Sequence, residues 1–194
     1  MSFTVLGYTY SIYGLLTVIA LFFILILLSI SDIRTHRISL FYVLFVLLLG
    51  VAAIWTLPGL KLYERFIGMA CVSVPLLLIN IIIGSGKAKH AGIIDNLSDK
   101  NTAVFGGGDV KLLAAAGFLL GWKGVLVAFM MGIFTGGLYA IYLYFIKKKK
   151  KTDVFALGPF LSLGIAVSII GNTGTRFVDW IIMMVKTIAY ASSL

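Results

Sequence analysis

Charge is scarce in this chain. Of 194 residues only 12% are Asp, Glu, Lys or Arg, and 61% are hydrophobic. A soluble domain carries about a quarter charged and about half apolar residues. With a mean hydropathy of +1.09, this composition excludes an ordinary soluble domain. Cysteine is nearly absent. Cys71 stands alone in an apolar run, so no internal disulfide or Cys-x-x-Cys metal site is available, and it reads as a small buried hydrophobe. Proline occurs three times, and no Pro/Ser-rich linker divides the sequence. A single integral-membrane domain over residues 1–194 is expected. Acid is scarce too: seven Asp and Glu face sixteen Lys and Arg, a net charge of +9. The basic residues cluster between apolar runs and form no basic face with interleaved aromatics. That pattern fits the positive-inside rule and excludes a nucleic-acid partner.

What is present is a series of apolar runs. The first, about Tyr10 to Ile30, holds no charge and is long enough to span a bilayer. No charged side chain precedes Asp32, and Arg34 and Arg37 follow the run. It therefore reads as a retained helix rather than a signal peptide, with the N-terminus outside. A second run covers about Ile38 to Leu57 and stops at the turn Pro58-Gly59. A third covers about Phe66 to Ile83, with Pro75 as an expected kink. Gly84-Ser85-Gly86 opens a polar stretch to about Asn101. A fourth run covers about Val104 to Leu120, and Gly121-Trp122-Lys123-Gly124 connects it tightly to a fifth, about Val125 to Ile146. Lys147 to Lys151 precede the sixth, about Val154 to Ile170. After a turn at Asn172-Thr173-Gly174-Thr175, Trp180 to Tyr190 is too short to span and suits an interfacial helix. The fold class expected is all-α: a polytopic membrane helix bundle of about six transmembrane helices plus a C-terminal interfacial helix.

The charges agree with that topology. Arg34, Arg37, Lys87, Lys89, Lys100 and Lys147 to Lys151 fall on the cytoplasmic side, and Lys61, Arg65, Lys123, Arg176 and Lys186 on the outer side. The lysine run Lys147–Lys151 reads as an anchor for anionic lipid headgroups of the bilayer.

Two acids stand apart from the polar connections. Asp32 closes the first span, and Asp109 follows Gly106-Gly107-Gly108 about five residues into the fourth. An acid at membrane depth costs roughly 2.5–3.5 kcal/mol on insertion scales, so its default reading is functional. Glycines in a helix interior cost about 1 kcal/mol each. Both spans meet the cytoplasmic side, and Asp109 is expected roughly 7 Å below the point where its span begins. If spans one and four are neighbours, the two carboxylates face each other across a shallow cleft. Two apposed carboxylates share a proton: one activates water, the other protonates a departing amine. The glycines would let an extended backbone approach closely and admit water. The bland alternative makes Asp32 an interfacial cap and Asp109 a partner of Lys or Arg.

At these residues the sequence resembles the prepilin peptidase family of GxGD aspartic proteases. The resemblance rests on Ser31-Asp32-Ile33-Arg34-Thr35-His36-Arg37-Ile38, on Gly106-Gly107-Gly108-Asp109-Val110-Lys111-Leu112-Leu113-Ala114-Ala115-Ala116-Gly117 running on to Trp122, and on Phe155-Ala156-Leu157-Gly158-Pro159-Phe160-Leu161. It implies that Asp32 and Asp109 are catalytic, with Gly106, Gly107, Gly108, Lys111, Gly158 and Pro159 supporting the site. It further implies a prepilin-like protein substrate whose short basic leader is cut, typically after glycine, on the cytoplasmic side of the cell membrane. Family members commonly have Pro-Asn where this chain has Ser39-Leu40, so the start of span two is expected to differ. Long-form members carry paired Cys-x-x-Cys motifs and an N-methyltransferase activity. With one cysteine this chain resembles a short form, for which no methyltransferase, metal or other cofactor is expected. The presenilin type is a poorer match at the Asp32 block.

Lys111 points away from Asp109 on its helix and suits snorkelling to headgroups or tuning of the site. His36 and His90 read as ordinary residues of polar connections. The pairs Gly117/Gly121 and Gly132/Gly136 read as close helix packing. Two rival functions stay open: a small transporter binding protons or cations at the two acids, and a catalytically silent assembly protein. Acids near one face and no clear repeat disfavour the transporter.

Overall fold

In lipid a chain must satisfy its backbone polar groups internally, and the helix is the local way to do so. The computed structural model describes residues 2–5, 8–35, 38–56, 59–88, 106–145, 156–170 and 173–191. A short antiparallel hairpin of β1 (Ser2–Val5) and β2 (Tyr8–Ser11) leads into α1 (Ile12–Thr35). Then come α2 (Leu40–Thr56), α3 (Leu62–Ala88), α4 (Gly107–Phe145), α5 (Gly158–Ile169) and α6 (Thr173–Ala191). The helical membrane bundle expected from the sequence is the architecture observed. The lysines 147–151, both histidines, and Asp95, Asp99 and Asp153 lie outside the described residues.

Each helix buries one stripe and turns the rest of its apolar surface outward. On α1 the buried positions are Gly14, Thr17, Leu21, Leu25, Leu28 and Asp32, at helical spacing. Ile19, Phe23, Ile26 and Ile30 between them are exposed, as lipid-facing residues should be. The core joins Leu21 and Leu28 to Val46, Val72, Leu112, Leu113, Ala116, Leu161 and Ile165.

Among the described residues three helices are long and apolar enough to cross a membrane: Ile12–Thr35, Leu62–Ile82 and Gly107–Leu143. The third is two arms joined at Gly121, whose φ of 72° and ψ of 175° are non-helical. A left-handed φ suits glycine, which has no Cβ to clash. Contacts on either side show that the chain reverses there. In the first arm Val110 meets Ser73 and Gly117 crosses Gly68 of α3. In the second, Gly124, Ala128 and Gly132 meet Ser168, Gly164 and Leu161 of α5, and Gly136 meets Leu157 just before it. The expected connection Gly121–Gly124 is thus a reversal at one glycine. Gly132/Gly136 is the packing pair expected, whereas Gly121 makes the turn.

Several boundaries differ from the sequence reading. α3 begins at Leu62 and runs through Gly84–Gly86 to Ala88, because local tolerance for glycine at a helix end outweighs its poor propensity. Pro75 lies inside α3, which continues past it. Thr173–Thr175 form the start of α6 rather than a turn. α2 has 17 residues and α5 has 12, so at ~1.5 Å per residue both fall short of a bilayer's ~30 Å core. α6 is amphipathic and packs on α4 and α5. Its Asp179 forms an ion pair with Lys123, just past the reversal.

Arg65 corrects the topology reading most. Counted there among outer-loop charges, it is buried to 1% exposure inside the bundle. Its guanidinium donates to the carbonyls of Ala53 at 3.0 Å, Phe118 and Leu119 at 3.3 Å, and Gly50 at 3.4 Å. The break at Gly121 leaves the last carbonyls of the first arm without helical donors, and α2 ends nearby at Thr56. Arg65 supplies those donors and places a cation at the negative ends of two helix dipoles.

Candidate active site

The site forms at the opposite end of the bundle, where α1 finishes and α4 and α5 begin. Asp32 occupies the last turns of α1 and is 4% exposed. Its Oδ2 accepts the backbone N–H of Gly158 at 2.8 Å. α5 has no side-chain cap of its own at Leu157, so a carboxylate from another helix takes that place at the positive end of the dipole. Pro159 follows in the first turn, where a missing N–H is harmless. Gly158 must be small: a Cβ there would stand 2.5 Å from Asp32 Oδ2 and 2.9 Å from its Cγ.

Asp109 lies in the first turn of α4. The sequence placed it a turn and a half deep. The helix instead starts at Gly107, so the three glycines form the helix start and escape the interior penalty. Val110 N–H donates to Gly106 O at 3.3 Å, and the Gly106 backbone reaches the Asp109 carboxylate. A Cβ on Gly106 would approach Asp109 Oδ2 to 2.8 Å, and one on Gly108 would approach Ile38 Cβ to 2.7 Å. At Gly107 nothing lies within 4 Å. The third glycine is therefore required by packing against Ile38, the first leaves room for the Asp109 carboxylate, and the middle one stands open. Their immediate role is to seat Asp109 and Ile38, a closer duty than the substrate approach expected from the sequence.

Ile38 follows Asp32 by six residues and packs on Gly108, which brings the two acids to one place. Asp109 stays half-buried, and its carboxylate and that of Asp32 are within electrostatic reach of each other. α1 and α4 do not pack along their lengths; α2 and α5 lie against both. The two acids thus share one end of the bundle without α1 and α4 packing along their lengths. Ser39, in place of the family's usual proline, accepts the N–H of Phe41 at 3.4 Å at the start of α2.

Lys111 is exposed and lines a groove of ≈ 350 Å³ with Leu40, Val43 and Leu44 of α2, Met69 of α3 and Ala115. Among the described residues no group of three or more His, Cys, Asp or Glu is placed to hold a metal. Sequence reasoning missed Arg65, Ile38 and the Asp32–Gly158 bond. The last had a signal in Leu157-Gly158-Pro159, a helix start without a capping side chain.

The arrangement is a pair of carboxylates at two helix starts, one enclosed and one accessible, above a membrane-embedded core. Comparison with curated proteins and with solved structures gives no match. The sequence pattern of the type IV leader peptidase family matches residues 19–141, more than half of the chain. That range holds Asp32, Gly106 to Asp109, Lys111 and Arg65, while Gly158 and Pro159 lie beyond it. The chain belongs to the type IV leader peptidase family.

Proposed function

We propose that this membrane protein is an aspartic endopeptidase that removes the short basic leader of prepilin-like proteins, with Asp32 and Asp109 as its catalytic pair. The observation that carries the reading is the meeting of these two carboxylates, 77 positions apart in the chain, at one end of the bundle. One carboxylate takes a proton from water as the oxygen attacks the scissile carbonyl carbon. The other gives its proton to the amide nitrogen as the C–N bond breaks. The products are a new carboxyl group and a new amine, and the pair ends with its proton exchanged. Gly106, Gly108, Gly158 and Pro159 shape the two helix starts around the pair, and the groove beside Lys111 suits an apolar stretch next to the cut. The family relationship supports the substrate class.

In this reading the N-terminus is outside, the site faces the cytoplasm, and cleavage falls after glycine. Lys147–Lys151 anchor to anionic headgroups, residues 1–194 act as one domain, and no methyltransferase accompanies the peptidase. Moving Arg65 into the bundle removes one charge from the outer side and so strengthens the charge imbalance behind this orientation.

The test is cleavage of a prepilin-like substrate by the purified protein in liposomes. Wild type should cut after glycine, and Asp32→Asn and Asp109→Asn should each drop to background while remaining folded. Full activity in either variant would sink the pair. Proton-coupled flux without cleavage would favour a transporter.

A further inference from the structure

Buried hydroxyls in this bundle usually find a carbonyl. Thr17 donates to Tyr13 O at 2.9 Å, Ser168 to Gly124 O at 2.8 Å and Ser73 to Val110 O at 3.3 Å. Ser162 differs. It is 4% exposed, and its Oγ has no hydrogen-bond partner among the described residues. An unmet hydroxyl in an apolar core opposes folding, so a native one calls for a physical reason.

Its position supplies one. Leu157, just before α5, and Leu161, Gly164 and Ser168 on it face α4. The adjoining buried stripe is Gly158, Ser162, Ile165 and Ile169, at helical spacing. The first member of that stripe, Gly158, holds Asp32. α5 packs on α1, and both helices run away from their meeting point at Gly158 and Asp32. Ser162 therefore lies one turn, ~6 Å, beneath Gly158 on the side of α1. The layer around it is otherwise apolar, with Leu28 on α1 one turn below Asp32 and fully buried. That rise is between backbone positions; a serine's Cβ leans toward the helix N-terminus, which shortens the gap to the carboxylate held at Gly158 toward the ~5.6 Å that one water with two hydrogen bonds spans.

We propose that Ser162 is a positioning residue for Asp32, its hydroxyl and the Asp32 carboxylate holding one ordered water between them. The bound water accepts or donates at Ser162 Oγ and donates to the carboxylate oxygen, meeting the two-partner minimum for a buried water. Gly158 N–H fixes the Asp32 carboxylate from α5's first turn, and the water fixes it from one turn below. Rotation of the carboxylate about its last bond is then restrained from two sides. The proposal rests on the reading of Asp32 as a catalytic group.

Steady-state cleavage and infrared difference spectra of the full-length protein in liposomes test it. The Asp32 carboxyl band is identified as the one lost in Asp32→Asn. Ser162→Ala should lower kcat roughly fivefold to thirtyfold, the size of one hydrogen bond, leave KM unchanged and shift that band. Ser162→Thr keeps the hydroxyl and should restore the band and most of kcat. Wild-type kcat and an unmoved band in Ser162→Ala would overturn the proposal. Equal losses in both variants with an unmoved band would assign Ser162 to packing and overturn it as well. If wild type cuts nothing while Ser162→Ala still shifts the band, the peptidase reading falls and the water-linked pair stands.

Discussion

The two ends of the bundle bury charge in opposite ways. At the Gly121 end Arg65 lies against the C-terminal ends of α2 and the first arm of α4, saturated by four carbonyls and closed to solvent. At the other end Asp32 and Asp109 lie at the starts of α5 and α4, where backbone N–H groups and the positive dipole end receive them. Each charge is matched to a helix terminus of opposite sign. The difference is in completion. Arg65 is enclosed on all sides and acts as a clamp, whereas Asp109 is half-buried and within reach of water. A charge fully satisfied by backbone stabilises; a charge left accessible is available for chemistry.

Substitutions sharpen that contrast. The largest effect short of the aspartates themselves is expected at Gly158→Ala. Its new Cβ would displace the Asp32 carboxylate, and cleavage should fall about a hundredfold, since misplacements near 1 Å cost that much. Protein yield and melting temperature should change little by comparison. A Gly158→Ala enzyme as fast as wild type would break the link between α5 and Asp32.

Arg65→Met should do the reverse. It strands several carbonyls in an apolar core, so the melting transition in detergent should drop by the equivalent of about 3 kcal/mol. Activity per folded molecule should stay within a few-fold of wild type. A variant with normal stability but no cleavage would show that the clamp end feeds the site directly.

Asp179→Asn removes the partner of Lys123 near the reversal. The pair is partly exposed, at 24% and 54% for the two side chains, so its loss should cost under about 1 kcal/mol, read from the same melt. Smallest of all is Gly107→Ala, where nothing lies within 4 Å of the new methyl. Its cleavage rate should match wild type, while Gly108→Ala, blocked by Ile38, should not. Equal losses in the two would mean that the glycine run serves some need other than seating Ile38 and Asp109.

The sequence by itself determined the helical membrane character, because long uncharged runs admit few other solutions in lipid. It also singled out Asp32 and Asp109, because acids in such runs are costly and few, and it marked the glycines before Asp109. Tertiary structure decided how these residues are used. Whether Arg65 is a loop charge or a clamp depends on carbonyls from α2 and α4, 12 to 54 positions away, which no local pattern encodes. That Gly121 reverses α4, that α2 and α5 rather than direct packing link α1 to α4, and that Gly158 receives Asp32 are likewise long-range facts. Local propensity sets where helices form; the closeness of their backbones and the pairing of their ends set which acids meet.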